Sequence, residues 1–170
     1  MTVLLWIEQS GLSVWVREAS TLWAFPFVLF LHTLGLGIVA GLSVALHLWI
    51  LTFASRHPPV PLQSLYPFIW TGFAINLVSG LLLLIAYPTK ALTDPVFYIK
   101  LGLIVAALVH LQWVRRNVLT GAAPGRPLDA SVPVRALSAV SIALWAGAVL
   151  TGRLLAYTYN YMTATDWLHG

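Results

Sequence analysis

The sequence predicts an all-α integral membrane protein, a four-helix bundle preceded by a short N-terminal amphipathic helix at the membrane interface. Three observations lead there. Of its 170 residues 59% are hydrophobic and 8% charged, against about 25% charged in a soluble domain. The apolar residues fall into four runs, each near or above the ~20 residues a helix needs to cross a bilayer. The basic residues cluster at the ends of those runs, where they act as a topology signal.

The length suits one membrane domain over residues 1–170. The net charge of +4 sits at run ends, so nucleic acid is not an expected partner; the lipid bilayer is. There is no cysteine, which excludes disulfides, thiolate metal sites and iron–sulfur clusters. No cleavable signal peptide is expected, because the first residues lack a basic stretch and Glu8 interrupts the apolar run.

Each element has a local reason. Residues 2–17 place Val3, Leu4, Trp6, Ile7, Leu12, Val14 and Trp15 among polar neighbours, the pattern of one interfacial helix. The first span, 23–53, falls in the charge-free stretch between Glu18 and Arg56, with Pro26 near its start where proline is tolerated. It exceeds the bilayer thickness and should tilt or protrude. His57-Pro58-Pro59-Val60-Pro61 ends it. The second span, 66–87, holds Asn76 and stops at Pro88, followed by a loop over 89–95. The third, 95–114, contains Lys100 and His110 and ends at Arg115-Arg116. A Gly/Pro-rich loop, 119–133, leads to the fourth span, 134–157, with Arg135 at its start and Arg153 near its end. The polar-aromatic tail 158–170 is expected at the interface.

Counting Lys and Arg by side puts Arg56, Arg115, Arg116, Arg126 and Arg135 on the face of the first and third loops. That face is expected in the cytoplasm of a bacterial inner membrane, with both termini periplasmic. Trp23, Trp49 and Trp113 fit interfacial belts.

Ionisable side chains in hydrocarbon are costly and functional by default. His32 and His47 share the first span, fifteen residues apart, which is roughly 22 Å along a helix and within roughly 60° of one face. The first and third spans run the same way. His47 and His110 then both lie near the cytoplasmic ends of their helices, about 6 Å apart in depth before tilt. Two facing imidazoles suit a six-coordinate b-type haem, held non-covalently because no Cys-x-x-Cys-His is present. Ala40 and Ser43, between the two histidines on that face, leave room for a flat macrocycle.

In the outer half His32 has Lys100 and Arg153 as polar company. A deprotonated Lys100 serves as a sixth ligand, or Lys100 snorkels to the surface and pairs with a haem propionate. Arg153 is the better propionate partner, since guanidinium grips carboxylates bidentately. His169 in the tail is a further conceivable ligand, and His57 in its proline-rich loop is assigned no role. Asn76 reads as an interhelical hydrogen bond or a quinone contact. Gly37-x-x-x-Gly41 reads as a close helix contact, within the chain or in a homodimer.

These residues lead to an expectation of two haems stacked across the bilayer. They would pass electrons between a quinone pool or a partner subunit of a larger redox complex and a donor or acceptor on the other side. The alternative is a non-redox membrane protein, either a metal transporter or a structural subunit, whose histidines bind copper or zinc or hydrogen-bond across helices.

The stretches Phe30-Leu31-His32-Thr33-Leu34-Gly35 and Phe97-Tyr98-Ile99-Lys100-Leu101-Gly102-Leu103-Ile104, followed by His110, resemble a superfamily of small helical membrane proteins. It includes the membrane domain of CopD-type copper-resistance proteins and the HemJ-type bacterial protoporphyrinogen oxidase. The resemblance covers the first and third spans. It implies a b-type haem, with His32 and Lys100 at the positions on which the oxidase type depends. The oxidase type usually carries a basic residue, not a histidine, near the position of His47. The His47 and His110 pair is instead similar to four-helix diheme b-type cytochromes, which favours electron transfer over porphyrinogen oxidation.

Overall fold

The computed structural model describes residues 2–19, 23–54, 64–119 and 131–166, and all regular structure among them is helical. Where one N-terminal helix is expected there are two, α1 (Thr2–Glu8) and α2 (Gly11–Glu18). The break has a local cause. Ser10 is extended, and its hydroxyl accepts the Ser13 N–H at 3.4 Å, which starts a new helix as a serine N-cap does. Arg17 folds back to the Glu8 carboxylate at 3.2 Å and to its main-chain carbonyl at 2.9 Å. Leu5, Trp6, Leu12 and Trp15 stay exposed on this hairpin, the apolar surface expected of an interfacial element.

Four longer helices follow. They are α3 (Phe25–Phe53), α4 (Tyr66–Ala86), α6 (Pro95–Val114, extended by a π-helical turn over Arg115–Leu119) and α7 (Val132–Asp166). Each is long and apolar enough to cross a membrane, as in a multi-pass membrane protein. The expected loop after α4 holds one short helix, α5 (Pro88–Thr93). Asp94 then caps α6, accepting the Val96 N–H at 2.8 Å. The fourth helix continues through Tyr157 to Asp166, where an interfacial tail is expected. The N-terminal hairpin docks on the end of α4 and on α5. Ser13 donates to the Ala86 carbonyl at 3.3 Å, and Thr89 donates to Glu8 at 2.8 Å. Burial draws Lys90, beside the Tyr87 ring, below the ordinary lysine value against the opposing pull of Asp94.

The bundle is built in the order α4–α3–α7–α6, with α3 packed on α4 and α7, and α7 on α6. Polar side chains face inward: Ser43, His47, Asn76, Ser79, Ser138 and Ser141 are all buried. Phe30, Leu48, Phe68, Leu81, Val105, Val109 and Leu150 face outward and are at least 48% exposed, far more apolar surface than a soluble monomer shows.

The closest helix contact is not at Gly37 and Gly41. It is the crossing of α3 and α4 at Gly35 and Gly72. A Cβ on Gly35 would stand 2.5 Å from the Asn76 backbone nitrogen, and one on Gly72 would stand 2.6 Å from Ile38 Cγ2. Gly37 and Gly41 have nothing within 4 Å of an added Cβ and lie in an apolar groove of about 770 Å³ beside Phe30, Leu34 and Phe68. The expected close contact on the Gly37/Gly41 face is therefore not made among the described residues. The reason is rotational: at 100° per residue, Gly35 and Gly37 point about 160° apart.

This difference is measurable. Gly35→Ala forces backbone against backbone and should cost about 1–3 kcal/mol, lowering the unfolding temperature in detergent. Gly37→Ala and Gly41→Ala should leave that temperature unchanged or raise it, since alanine is the better helix former by about 0.5–1 kcal/mol. Equal losses at all four glycines, Gly72 included, would contradict the crossing.

Candidate functional site

Two polar levels lie along the bundle, one at each end of α3. At the first, His47 is fully buried. Its Nδ1–H donates to the Ser43 carbonyl at 2.7 Å, which fixes the tautomer and leaves a lone pair on Nε2. Among the described residues that Nε2 has no hydrogen-bond partner, and neither does either ring nitrogen of His110. The His47 and His110 ring centres are 6.0 Å apart with the planes at 39°.

Helix α7 supplies the rest of this level. Ser138, Ser141 and Trp145 are buried to 1% exposure or less, and their hydroxyl or indole nitrogen atoms have no partner. Helical hydroxyls elsewhere in the bundle return to the carbonyl one turn back: Ser43 to Val39 at 2.6 Å, Ser79 to Ile75 at 2.6 Å, Thr151 to Gly147 at 2.8 Å. Ser138 and Ser141 do not.

Register places these serines at about the depth of the histidines. Helices α6 and α7 are antiparallel, and the Leu103 side chain comes 3.3 Å from where a Cβ on Gly147 would stand. Seven residues on from Leu103 is His110; seven back from Gly147 is Val140, next to Ser141. On α3, the Arg135 guanidinium donates to the Leu51 carbonyl at 3.2 Å. Four residues back from Leu51 is His47; four on from Arg135 is Ala139, next to Ser138. His47, His110, Ser138 and Ser141 therefore share one depth, and Trp145 lies about one turn further in.

The second level is built around His32 and is fully answered. His32 Nδ1 is 3.1 Å from the Asn76 carbonyl, to which its N–H donates, and 3.3 Å from Ser79 Oγ. The Asn76 amide in turn donates to the His32 carbonyl at 2.8 Å, so Asn76 is an interhelical hydrogen bond. His32 Nε2 faces Lys100 Nζ at 3.5 Å. Glycines make the room: a Cβ on Gly80 would stand 3.0 Å from His32 Cε1, and one on Gly152 would stand 3.6 Å from Lys100 Cε. Arg153 follows Gly152 and is exposed at the same end. His57 and His169 lie outside the described residues.

The arrangement brings together both expected pairs, His47 with His110 and His32 with Lys100. Ser138, Ser141 and Trp145 carry no sequence signal beyond their spacing of three and four along one helix face, which reads equally as packing. Among the described residues no three His, Cys, Asp or Glu side chains converge. A bare ion bound by protein alone usually needs three or four ligands. Two imidazoles suffice when a macrocycle fills the remaining positions.

No protein-family model, characterised protein or solved structure matches this chain.

The register is open to a direct test because the chain has no cysteine. Leu103→Cys with Gly147→Cys should cross-link with a short bifunctional thiol reagent, and Leu103→Cys with Gly37→Cys should not. Cross-linking of both pairs, or of neither, would remove the alignment of His110 with Ser141.

Proposed function

We propose that this chain is a membrane b-type cytochrome that holds haem non-covalently and carries electrons across the bilayer. Those electrons would pass between a quinone pool or partner subunit and a donor or acceptor on the other side. The observation that carries the reading is the His47–His110 pair, two rings 6.0 Å apart with buried ring nitrogens left free. His47 and His110 would hold the metal of such a group, since two imidazole ligands at about 2 Å each would have ring centres roughly 6 Å apart. The residues present therefore fit the group. Haem supplies one-electron chemistry when bound.

The chain's own contributions are specific. The Ser43 carbonyl orients His47, as the outer partner of a ligating histidine does. The surrounding Val39, Leu46, Ile50, Ala107 and Leu111 are buried and keep water and dielectric low, which shifts a redox potential. At the other end, His32 and Lys100 are the candidates for a second haem, with Arg153 for a propionate. Their nitrogens, 3.5 Å apart, would have to separate to about 4 Å, within the freedom of a lysine stem. Placement in a bacterial inner membrane with periplasmic termini, and assembly as a homodimer or within a redox complex, belong to the same reading.

A second reading is favoured by the direct His32–Lys100 contact: a porphyrinogen-oxidising enzyme, as the resemblance at those two positions implies. Complementation of a strain lacking that oxidase separates the two, and rescue would favour the enzyme.

For the cytochrome, the purified protein should be coloured, with a Soret band and about two haems per chain by pyridine haemochrome. His32→Ala should lower the count to about one and leave the spectrum of the other centre intact. A colourless wild-type protein that takes up no added haem would refute the proposal.

A further inference from the structure

The two histidines of the His47–His110 pair are held unequally, and the inequality bears on what the centre can bind. His47 is anchored: its Nδ1–H is tied to the Ser43 carbonyl at 2.7 Å, and Ser43 is itself tied to Val39 at 2.6 Å. His110 has no hydrogen bond at either ring nitrogen. Ligating histidines almost always donate their second ring N–H, and that donation fixes the ring and strengthens the ligand. His110 lacks it. It is the weaker and more easily displaced of the two.

The surroundings of His110 differ in the same direction. At its depth α7 presents the Ser138 and Ser141 hydroxyls, and one turn further the Trp145 indole N–H, all buried and all without an acceptor. These are donors in an apolar interior, where an unanswered polar group costs about 1–3 kcal/mol. On α3 the corresponding hydroxyl, Ser43, is already committed to its own helix. Donors and steric access on one side of a haem decide whether it only transfers electrons or also binds small ligands.

We propose that the His47–His110 centre is a ligand-binding centre as well as an electron carrier. A small neutral diatomic molecule displaces His110 and accepts a hydrogen bond from Ser141 or Ser138. The exchange breaks one metal–nitrogen bond to His110 and forms one bond to the incoming molecule, and no electron is gained or lost. This rests on the reading of the pair as haem ligands.

Carbon monoxide is the probe, added to the reduced full-length protein. The wild type should show a shifted, sharpened Soret band characteristic of a carbonyl adduct. Ser141→Ala and Ser138→Ala together should weaken carbon monoxide binding at least threefold and move its C–O stretching frequency. His110→Ala should keep this haem on His47 and bind carbon monoxide more tightly, whereas His47→Ala should lose the haem. An unchanged reduced spectrum under saturating carbon monoxide, with His110→Ala and His47→Ala losing haem alike, would overturn the inference and leave the cytochrome reading standing. Binding that ignores both serine substitutions would overturn the role given to the α7 hydroxyls. A wild type that holds no haem sinks the cytochrome reading and this inference with it.

Discussion

Inside a lipid-facing bundle there is no water to answer a polar atom, so each one finds a partner in the protein, finds one in a bound group, or costs free energy. This constraint divides the interior into two unlike halves. Around His32 the atoms answer one another: imidazole to the Asn76 carbonyl, Asn76 amide to the His32 carbonyl, lysine to imidazole. Around His47 they do not. Six side chains from three helices, His47, His110, Gln112, Ser138, Ser141 and Trp145, leave polar atoms unmatched among the described residues. A fold that satisfies one polar cluster so fully has the means to satisfy the other. Under the proposed function, the unmatched set faces the bound haem.

The satisfied half depends on a contact that carries no chemistry. Gly35 and Gly72 let the backbones of α3 and α4 meet so closely that an added Cβ would fall within 3 Å of the neighbouring helix. That closeness brings Asn76 within 2.8 Å of the His32 carbonyl. Gly80, two turns along α4 from Gly72, then leaves space for the ring itself. In lipid, where burying apolar surface gives helices little reason to associate, close packing and interhelical hydrogen bonds do most of the joining. Here the two are one feature: the glycines permit the approach, and Asn76 uses it.

The spans were legible because charge and proline mark their ends and hydropathy fills them. The α-helical part of α6, Pro95–Val114, opens at the expected Asp94 and Pro95, and its helical segment runs on past the arginine pair to Leu119. The separation of His32 and His47 along α3 was legible because they fall in one helix and helical rise is fixed. Rotation was not. Gly35 and Gly37 are equally small, and only the packing of α3 on α4 selects Gly35. The break between α1 and α2 was hidden because amphipathic spacing runs through it, while the deciding event is a single serine cap. The α7 serines were invisible for another reason. A serine in a membrane helix ordinarily bonds its own backbone, so its presence says nothing until the bond is seen to be missing.

The unlike partners of the two α3 histidines have a geometric cause. His32 and His47 are fifteen residues apart, but their partners on α6, Lys100 and His110, are only ten apart. At 1.5 Å per residue, α6 falls short by about 7 Å. Helix tilt recovers part of this, and side-chain direction recovers more. Long helical side chains lean toward the N-terminus of their helix, which for Lys100 is toward the His32 end. The lysine stem reaches about 6 Å from the backbone with its charge at the tip, and Nζ arrives 3.5 Å from His32. An imidazole at position 100 would be too short to close that gap. Lysine there follows from helix spacing as much as from chemistry. The same parallel pair of helices can therefore present His opposite His at one end and only His opposite Lys at the other.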